Sequence, residues 1–169
     1  MGGVRTADIK EAVMRDLTLE RLHHLGWQLP APPKPLGAYR AVVESGSMLH
    51  ISMQGPVVGG KPTVTGLLGR EVSIEEGRQA ASLSVLNSLA QALGHLGNLD
   101  RIGQVVRLDA YVACEESFIS HPQVIDSASE LLAQVFEERA GHVRTVCGVR
   151  NLPGNLPVAL ALVLELQPA

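Results

Sequence analysis

Gly141-His142-Val143-Arg144-Thr145-Val146-Cys147-Gly148-Val149-Arg150-Asn151-Leu152-Pro153, continued by the apolar run Val158 to Leu166, is the stretch whose reading decides the fold. Thr145 to Val149 and Val158 to Leu166 are aliphatic and β-branched, and Leu152-Pro153-Gly154-Asn155 between them has turn composition. Together they predict the last two strands of a sheet. In the final strand Val158, Leu160, Leu162, Leu164 and Leu166 fall on one face, and Ala159, Ala161 and Val163 on the other. A strand apolar on both faces must be covered on both. The same stretch sets Arg144 at the head of a strand that reads as largely buried. A guanidinium keeps its charge, so it needs an acidic or carbonyl partner, or a ligand that supplies one.

Working outward, Ser120 to Gln123 has capping-box spacing and opens a helix faced by Val124, Ala128, Leu131, Leu132, Val135 and Phe136, with Gly141 closing it. Residues 102–113 alternate and predict a strand, with Val106, Leu108, Ala110 and Val112 on one face and Val105, Arg107, Asp109 and Tyr111 on the other. Ser73-Ile74-Glu75-Glu76 is a second capping box. It starts the clearest helix, to Leu96, with Leu83, Leu86, Leu89, Ala90, Leu93 and Leu96 as its apolar face and Gly97 ending it. Residues 55–70, rich in glycine, predict a long surface loop. Ala38 to Glu44 and Met48 to Gln54 predict a hairpin turning at Ser45-Gly46-Ser47. Further out, residues 1–35 form an N-terminal extension: a short patternless arm, a helix over 18–25 capped by Thr18, and an extended connector through Pro30, Pro32, Pro33 and Pro35. Residues 36–169 form the main domain. The order of hairpin, helix, strand, helix and two strands is α+β: a mixed β-sheet with two main helices on one face. The uncovered face calls for another copy of the chain, so a homo-oligomer with a sheet-lined interior is expected.

Composition bounds the function. The chain has 169 residues, enough to bury a sizeable core as one domain. It is 46% hydrophobic but only 3% aromatic, so Leu, Val and Ala must build that core. A formal net charge of −3 without a basic run argues against a nucleic-acid partner. No apolar stretch reaches membrane-spanning length, which argues against a membrane, and the charges Asp8, Lys10 and Glu11 argue against a signal peptide. Cys114 and Cys147 stand in no CxxC pattern, consistent with a reducing, cytoplasmic setting. The six histidines show no ligand spacing, so neither a metal nor a cofactor is expected.

An ordered set of segments resembles one known family. Leu36-Gly37-Ala38-Tyr39, Ile51-Ser52-Met53-Gln54-Gly55-Pro56, Gly94 to Val112, Val124 to Leu132, and Gly141-His142-Val143-Arg144 through Leu152-Pro153 occur in the order of the YjgF/RidA family, often labelled endoribonuclease L-PSP. The long N-terminal part and the Val124 to Leu132 helix look like its chorismate-mutase-like branch. The resemblance spans residues 17–166. It implies a chorismate-mutase-like fold and a homotrimer with ligand clefts between subunits. It also implies hydrolysis of small reactive 2-imino acids and enamines to 2-oxo acids and ammonia. Arg144 falls on the family's carboxylate-binding arginine, whose planar fork of donors suits a carboxylate, and would be both catalytic and substrate-binding. Tyr39 falls on the substrate-pocket tyrosine. Other positions depart: Ala159 stands where active deaminases carry a glutamate, Val146 where many carry a cysteine, Met53 where a glycine is usual, and Asp126 where asparagine is frequent. Asp126, Glu115 or Glu116 would have to replace the missing acid.

Plainer readings stand beside these. Arg144 would pair with Asp109, Asp126 or Glu165 in a structural ion pair, and Tyr39 would be an ordinary packing residue. Cys147 and Cys114 read as small core residues, and Arg107 with Asp109 as a solvated or interfacial strand face. The functional readings are an imine/enamine deaminase, a hydrolase, and a non-catalytic homotrimer that binds a small carboxylate. An endoribonuclease-type translation inhibitor fits less well without a basic patch or a pair of suitably placed histidines.

Overall fold

The structure, a computed structural model, describes residues 15–168. The reading of the first 14 residues lies outside them. The elements in chain order are α1 (Leu17–His24), β1 (Val42–Ser45), β2 (Met48–Gln54), β3 (Val57–Val58), β4 (Lys61–Pro62), α2 (Ile74–Leu96), β5 (Ile102–Ala113), α3 (His121–Phe136), β6 (Val143–Val149) and β7 (Val158–Leu166). The main sheet has the order β1-β2-β7-β5-β6. Only β5 and β6 run parallel, joined through α3, and the other neighbours are antiparallel. This is the expected mixed α+β fold.

The doubly apolar β7 occupies the centre of the sheet, as a strand with two faces to cover should. Its leucine face and Leu108, Ala110 and Val112 of β5 are fully buried beneath the helices. Helix α2 crosses β2 and β7, and α3 crosses β5 and β6. On the opposite face, Ala161 and Val163 stay partly open in the single chain.

Helix α2 begins where expected. The Ser73 hydroxyl accepts the Glu76 amide, and the Glu76 carboxylate accepts the Ser73 amide. Its packing face is wider than the expected leucine stripe, of which Leu86, Leu89, Ala90 and Leu96 are buried. Ala81, Ser84, Val85, Ser88, Leu89 and Ala92 are buried, while Leu83 and Leu93 sit on the rim. Small side chains let the helix approach the sheet closely, and hydrophobic size alone does not mark that face.

Other expectations are corrected. Val105, not Val106, belongs to the core, because a bulge between Val105 and Arg107 shifts the alternation along β5. Ser120 precedes α3 without capping it; its ψ of 31° is not the extended geometry a cap needs, and Pro122 opens the helix. Helix α3 ends at Phe136 rather than at Gly141. Glu137 takes φ +53° and leads into a 3₁₀ turn over Glu137–Ala140, a stop that a glutamate does not signal. The segment 55–70 contains the β3–β4 hairpin, which turns through Gly59 and Gly60 at φ +58° and +79°. The first strand starts at Val42, with Tyr39 in the bend before it.

Helix α1 is capped by Asp16, not by Thr18. The Asp16 carboxylate accepts the amides of Leu19 and, across the fold, Leu99. Thr18 instead donates its hydroxyl to Asp100 at 2.6 Å, and Asp100 also accepts the amides of Leu17 and Thr18. Leu22 of α1 is fully buried in the common core, and Gln91 of α2 donates to the Pro33 carbonyl of the connector.

Burial works to raise the Asp100 pKa, but the hydrogen bonds from Thr18 and Leu17 and the charge of Arg139 outweigh it and hold it below the usual aspartate range. A carboxyl depressed in the folded chain adds stability above its unfolded pKa and loses it as pH falls through the folded value. The docking of α1 is therefore expected to weaken only below about pH 4. Trp27, packed beside Leu22, should report this as a red shift of emission. Asp100→Asn should show a red-shifted emission already at neutral pH and no acid step. An unchanged acid step in that variant would refute the assignment.

Candidate functional site

Arg144 lies on β6, an edge strand, and its register partner is Leu108. Leu108 points into the helix-covered core, so Arg144 projects on the same side, towards α3. There Arg144 Nη1 donates to Asp126 Oδ1 at 2.8 Å and to Ser129 Oγ at 3.2 Å. Of the three carboxylates considered from sequence, the structure selects Asp126. The helix supplies both partners because residues i and i+3 share a face. Nε and Nη2 of Arg144 make no hydrogen bond to the described residues. The arginine side chain is 24% exposed and that of Asp126 49%. A half-solvated ion pair of this kind holds only weakly, so an incoming anion can compete for the guanidinium.

Ser129 extends the cluster. Its hydroxyl lies 3.0 Å from His142 Nε2, and His142 Nδ1 lies 2.6 Å from the Ala140 carbonyl oxygen. Sequence reading missed both residues. They are 13 positions apart, and only the return of β6 beside α3 brings them together.

Tyr39 is not near Arg144 within one chain. It stands in the bend before β1, 49% exposed, while β1 and β6 are opposite edges of the sheet. Leu36 donates its amide to the Tyr39 hydroxyl at 3.4 Å, a loose contact.

Position 159 is on the other face of the sheet. Ala159 pairs with Tyr111 and is 4% exposed within a small apolar cluster with Ala113, Leu152 and Leu156. No carboxylate replaces a glutamate there. Glu115 accepts a hydrogen bond from the Ser117 hydroxyl and does not approach Arg144. On the open face Arg107 donates to both oxygens of Asp109 at 2.8 and 2.9 Å, the strand-face pair expected.

The cysteines divide. Cys147 is exposed on the open face, which corrects its reading as a core residue: its register partner is Tyr111, not a residue of the helix side. Cys114 is half-buried, with its sulfur 3.2 Å from His121 Nε2. Gly148 makes room for this pair, since a Cβ there would collide with the imidazole and press on the sulfur. Burial, with Glu115 nearby, pushes the Cys114 thiol up and keeps it protonated, although the Val149 hydrogen bond opposes this. A hollow of about 560 Å³ lies at the N-terminal ends of α2 and α3, against Arg70, Ser73, Phe118 and Ser120. It includes neither Arg144 nor Tyr39. Among the described residues no three His, Cys, Asp or Glu side chains cluster as metal ligands, and no helix is long and apolar enough to cross a membrane.

Residues 19–166 match the family model described as "YjgF/chorismate_mutase-like, putative endoribonuclease". The chain belongs to this family. The curated Protein TCP17 of Trypanosoma cruzi is 38% identical over 149 residues, covering 86% of this chain and 92% of that protein. Atu1372 of Agrobacterium tumefaciens, a crystal structure, is 35% identical with a TM-score of 0.86 over 96% of this chain and all of the other. More distantly, the YjgF gene product of E. coli shares the fold at 17% identity and a TM-score of 0.59, covering 82% of this chain and 98% of that one. In this YjgF-type chain, then, Arg144 is tied to Asp126 of α3.

Proposed function

We propose that this protein is an imine/enamine deaminase of the RidA type, hydrolysing small 2-imino acids to 2-oxo acids and ammonia in a cleft between subunits. The observation that carries the reading is Arg144: a partly open guanidinium with two donor nitrogens unengaged by the described residues, held on an edge strand. A carboxylate can take those two donors side by side. Such a substrate is already reactive, so holding it against a water accounts for much of the rate.

Tyr39 and Arg144 sit on opposite edges of one sheet, so a cleft that uses both needs two copies of the chain. The half-open face with Ala161, Val163 and exposed Cys147, together with Val143 at 65% exposure beside it, supports a homotrimer with these faces inward. A monomeric mass at micromolar concentration would sink that assembly.

A second reading is favoured by Ala159. An apolar, closed position where an acid would serve proton transfer suits a homotrimer that only binds small carboxylates. One experiment separates the two. 2-Iminopropionate is generated in situ and pyruvate formation followed with and without protein. Acceleration by the wild type that is lost in Arg144→Ala supports the deaminase. No acceleration, or equal acceleration by Arg144→Ala, rejects it.

A further inference from the structure

We infer that Ser129 and His142 are positioning residues for Arg144: they hold Nη1 against α3, so that the guanidinium offers a single edge, Nε with Nη2, to a carboxylate. This rests on the deaminase reading above and deepens it at its carboxylate site. A guanidinium is planar, with five N–H bonds in fixed directions. Two of them belong to Nη1, and both find acceptors on α3, Asp126 Oδ1 at 2.8 Å and Ser129 Oγ at 3.2 Å. That closes the end-on edge, where Nη1 and Nη2 would share a ligand. The parallel pair left open is Nε–H with the adjacent Nη2–H, and neither nitrogen is engaged by the described residues. This edge lies opposite Nη1, so a ligand there and Ser129 use different hydrogens.

The hydrogen-bond pattern fixes which way Ser129 faces. The Ala140 carbonyl can only accept, so His142 Nδ1, 2.6 Å away, carries a hydrogen and donates it. In the neutral ring Nε2 is then an acceptor, and it takes the Ser129 hydroxyl hydrogen at 3.0 Å. Arg144 can only donate, so it meets a lone pair of the same oxygen. With its hydrogen drawn to His142, the hydroxyl cannot turn that hydrogen towards the guanidinium. His142 acts on Arg144 only through Ser129.

The anchors are rigid. Asp126 and Ser129 are three residues apart on α3, and the other side of that turn is locked in the core by Val124, Ile125 and Ala128, all fully buried. Ala140, at the far end of the chain of bonds, is 5% exposed and belongs to the same core. Asp126 brings a charge that offsets that of Arg144, whereas Ser129 holds the same nitrogen without one. A long side chain that is 24% exposed would otherwise sample several rotamers. Orienting the guanidinium before the ligand arrives removes that ordering cost from the binding step.

The test measures pyruvate affinity by isothermal titration in wild type, Ser129→Ala, Ser129→Thr, His142→Phe, the double variant of Ser129→Ala with His142→Phe, and Arg144→Ala. Positioning requires affinity to fall about 3- to 10-fold in Ser129→Ala, and the threonine hydroxyl to restore most of it. His142→Phe must weaken binding as well, and the double variant must be no weaker than Ser129→Ala alone, because His142 has no other route to Arg144. Ser129→Ala at wild-type affinity, with binding lost in Arg144→Ala, overturns the positioning and leaves Arg144 as the carboxylate site. A loss that threonine does not restore, or losses that add in the double variant, make the pair a structural tie between α3 and β6 and also overturn it. A wild type that binds no pyruvate, or an Arg144→Ala that binds it equally well, overturns the carboxylate site and the positioning together. None of these outcomes depends on turnover, which the 2-iminopropionate assay reads separately.

Discussion

Phe136→Ala is expected to destabilise the fold by about 3–5 kcal/mol. Phe136 is the largest side chain among those fully buried, 1% exposed, at the last turn of α3. Its ring fills the junction where α3 gives way to the 3₁₀ turn, and the Arg139 guanidinium lies 5.5 Å from its centre. Arg139 in turn donates to the Ile102 carbonyl and to the Thr18 hydroxyl, so the ring backs the joint between α3, β5 and α1. Truncation leaves a cavity, removes the cation–π contact and loosens that arginine. For a chain of this size the loss corresponds to a fall in melting temperature of about 10 °C. Differential scanning calorimetry and urea titration check it. A change under about 1 kcal/mol would mean that the joint collapses onto the gap.

Asp126→Asn is expected to tighten binding of small carboxylates, and Arg144→Ala to abolish it. In the free protein Asp126 occupies one corner of the guanidinium. An anionic ligand must compete with that charge, and the asparagine amide removes the competitor while keeping a hydrogen-bond acceptor near Nη1. Half-exposed ion pairs are worth up to about 1 kcal/mol, so pyruvate affinity should rise about 3- to 5-fold. Removing the arginine takes away two charge-assisted hydrogen bonds and should weaken binding by at least about 30-fold. Lysine at 144 should rescue little, since a point charge does not match the two carboxylate oxygens. Isothermal titration with pyruvate checks the set. Weaker binding in Asp126→Asn would show that the aspartate orients the arginine for its ligand rather than competing with it.

Taken together, these outcomes would distinguish a site built for chemistry from one built for binding. Arg144 is common to both. Ala159 is what makes the distinction necessary.

What the sequence by itself determined is the part that depends on near neighbours in the chain. The Ser73–Glu76 capping box and the apolar face of α3 are local patterns, and both helices lie where those patterns put them. The central place of β7 follows from a strand with no polar face. The family was legible in the ordered segments from Leu36 to Pro153. Tertiary structure alone decided which groups meet. It chose Asp126 over Asp109 and Glu165 because α3, and not the open face, overlies β6 at that point. It moved Val105 into the core through a bulge that leaves no trace in the alternation of residue types. It set Tyr39 and Arg144 on opposite edges, joined Ser129 to His142, and placed His121 against Cys114. Hydrophobic period and capping are set by residues three or four apart, whereas a site is set by strand order and helix crossing, which no local spacing records.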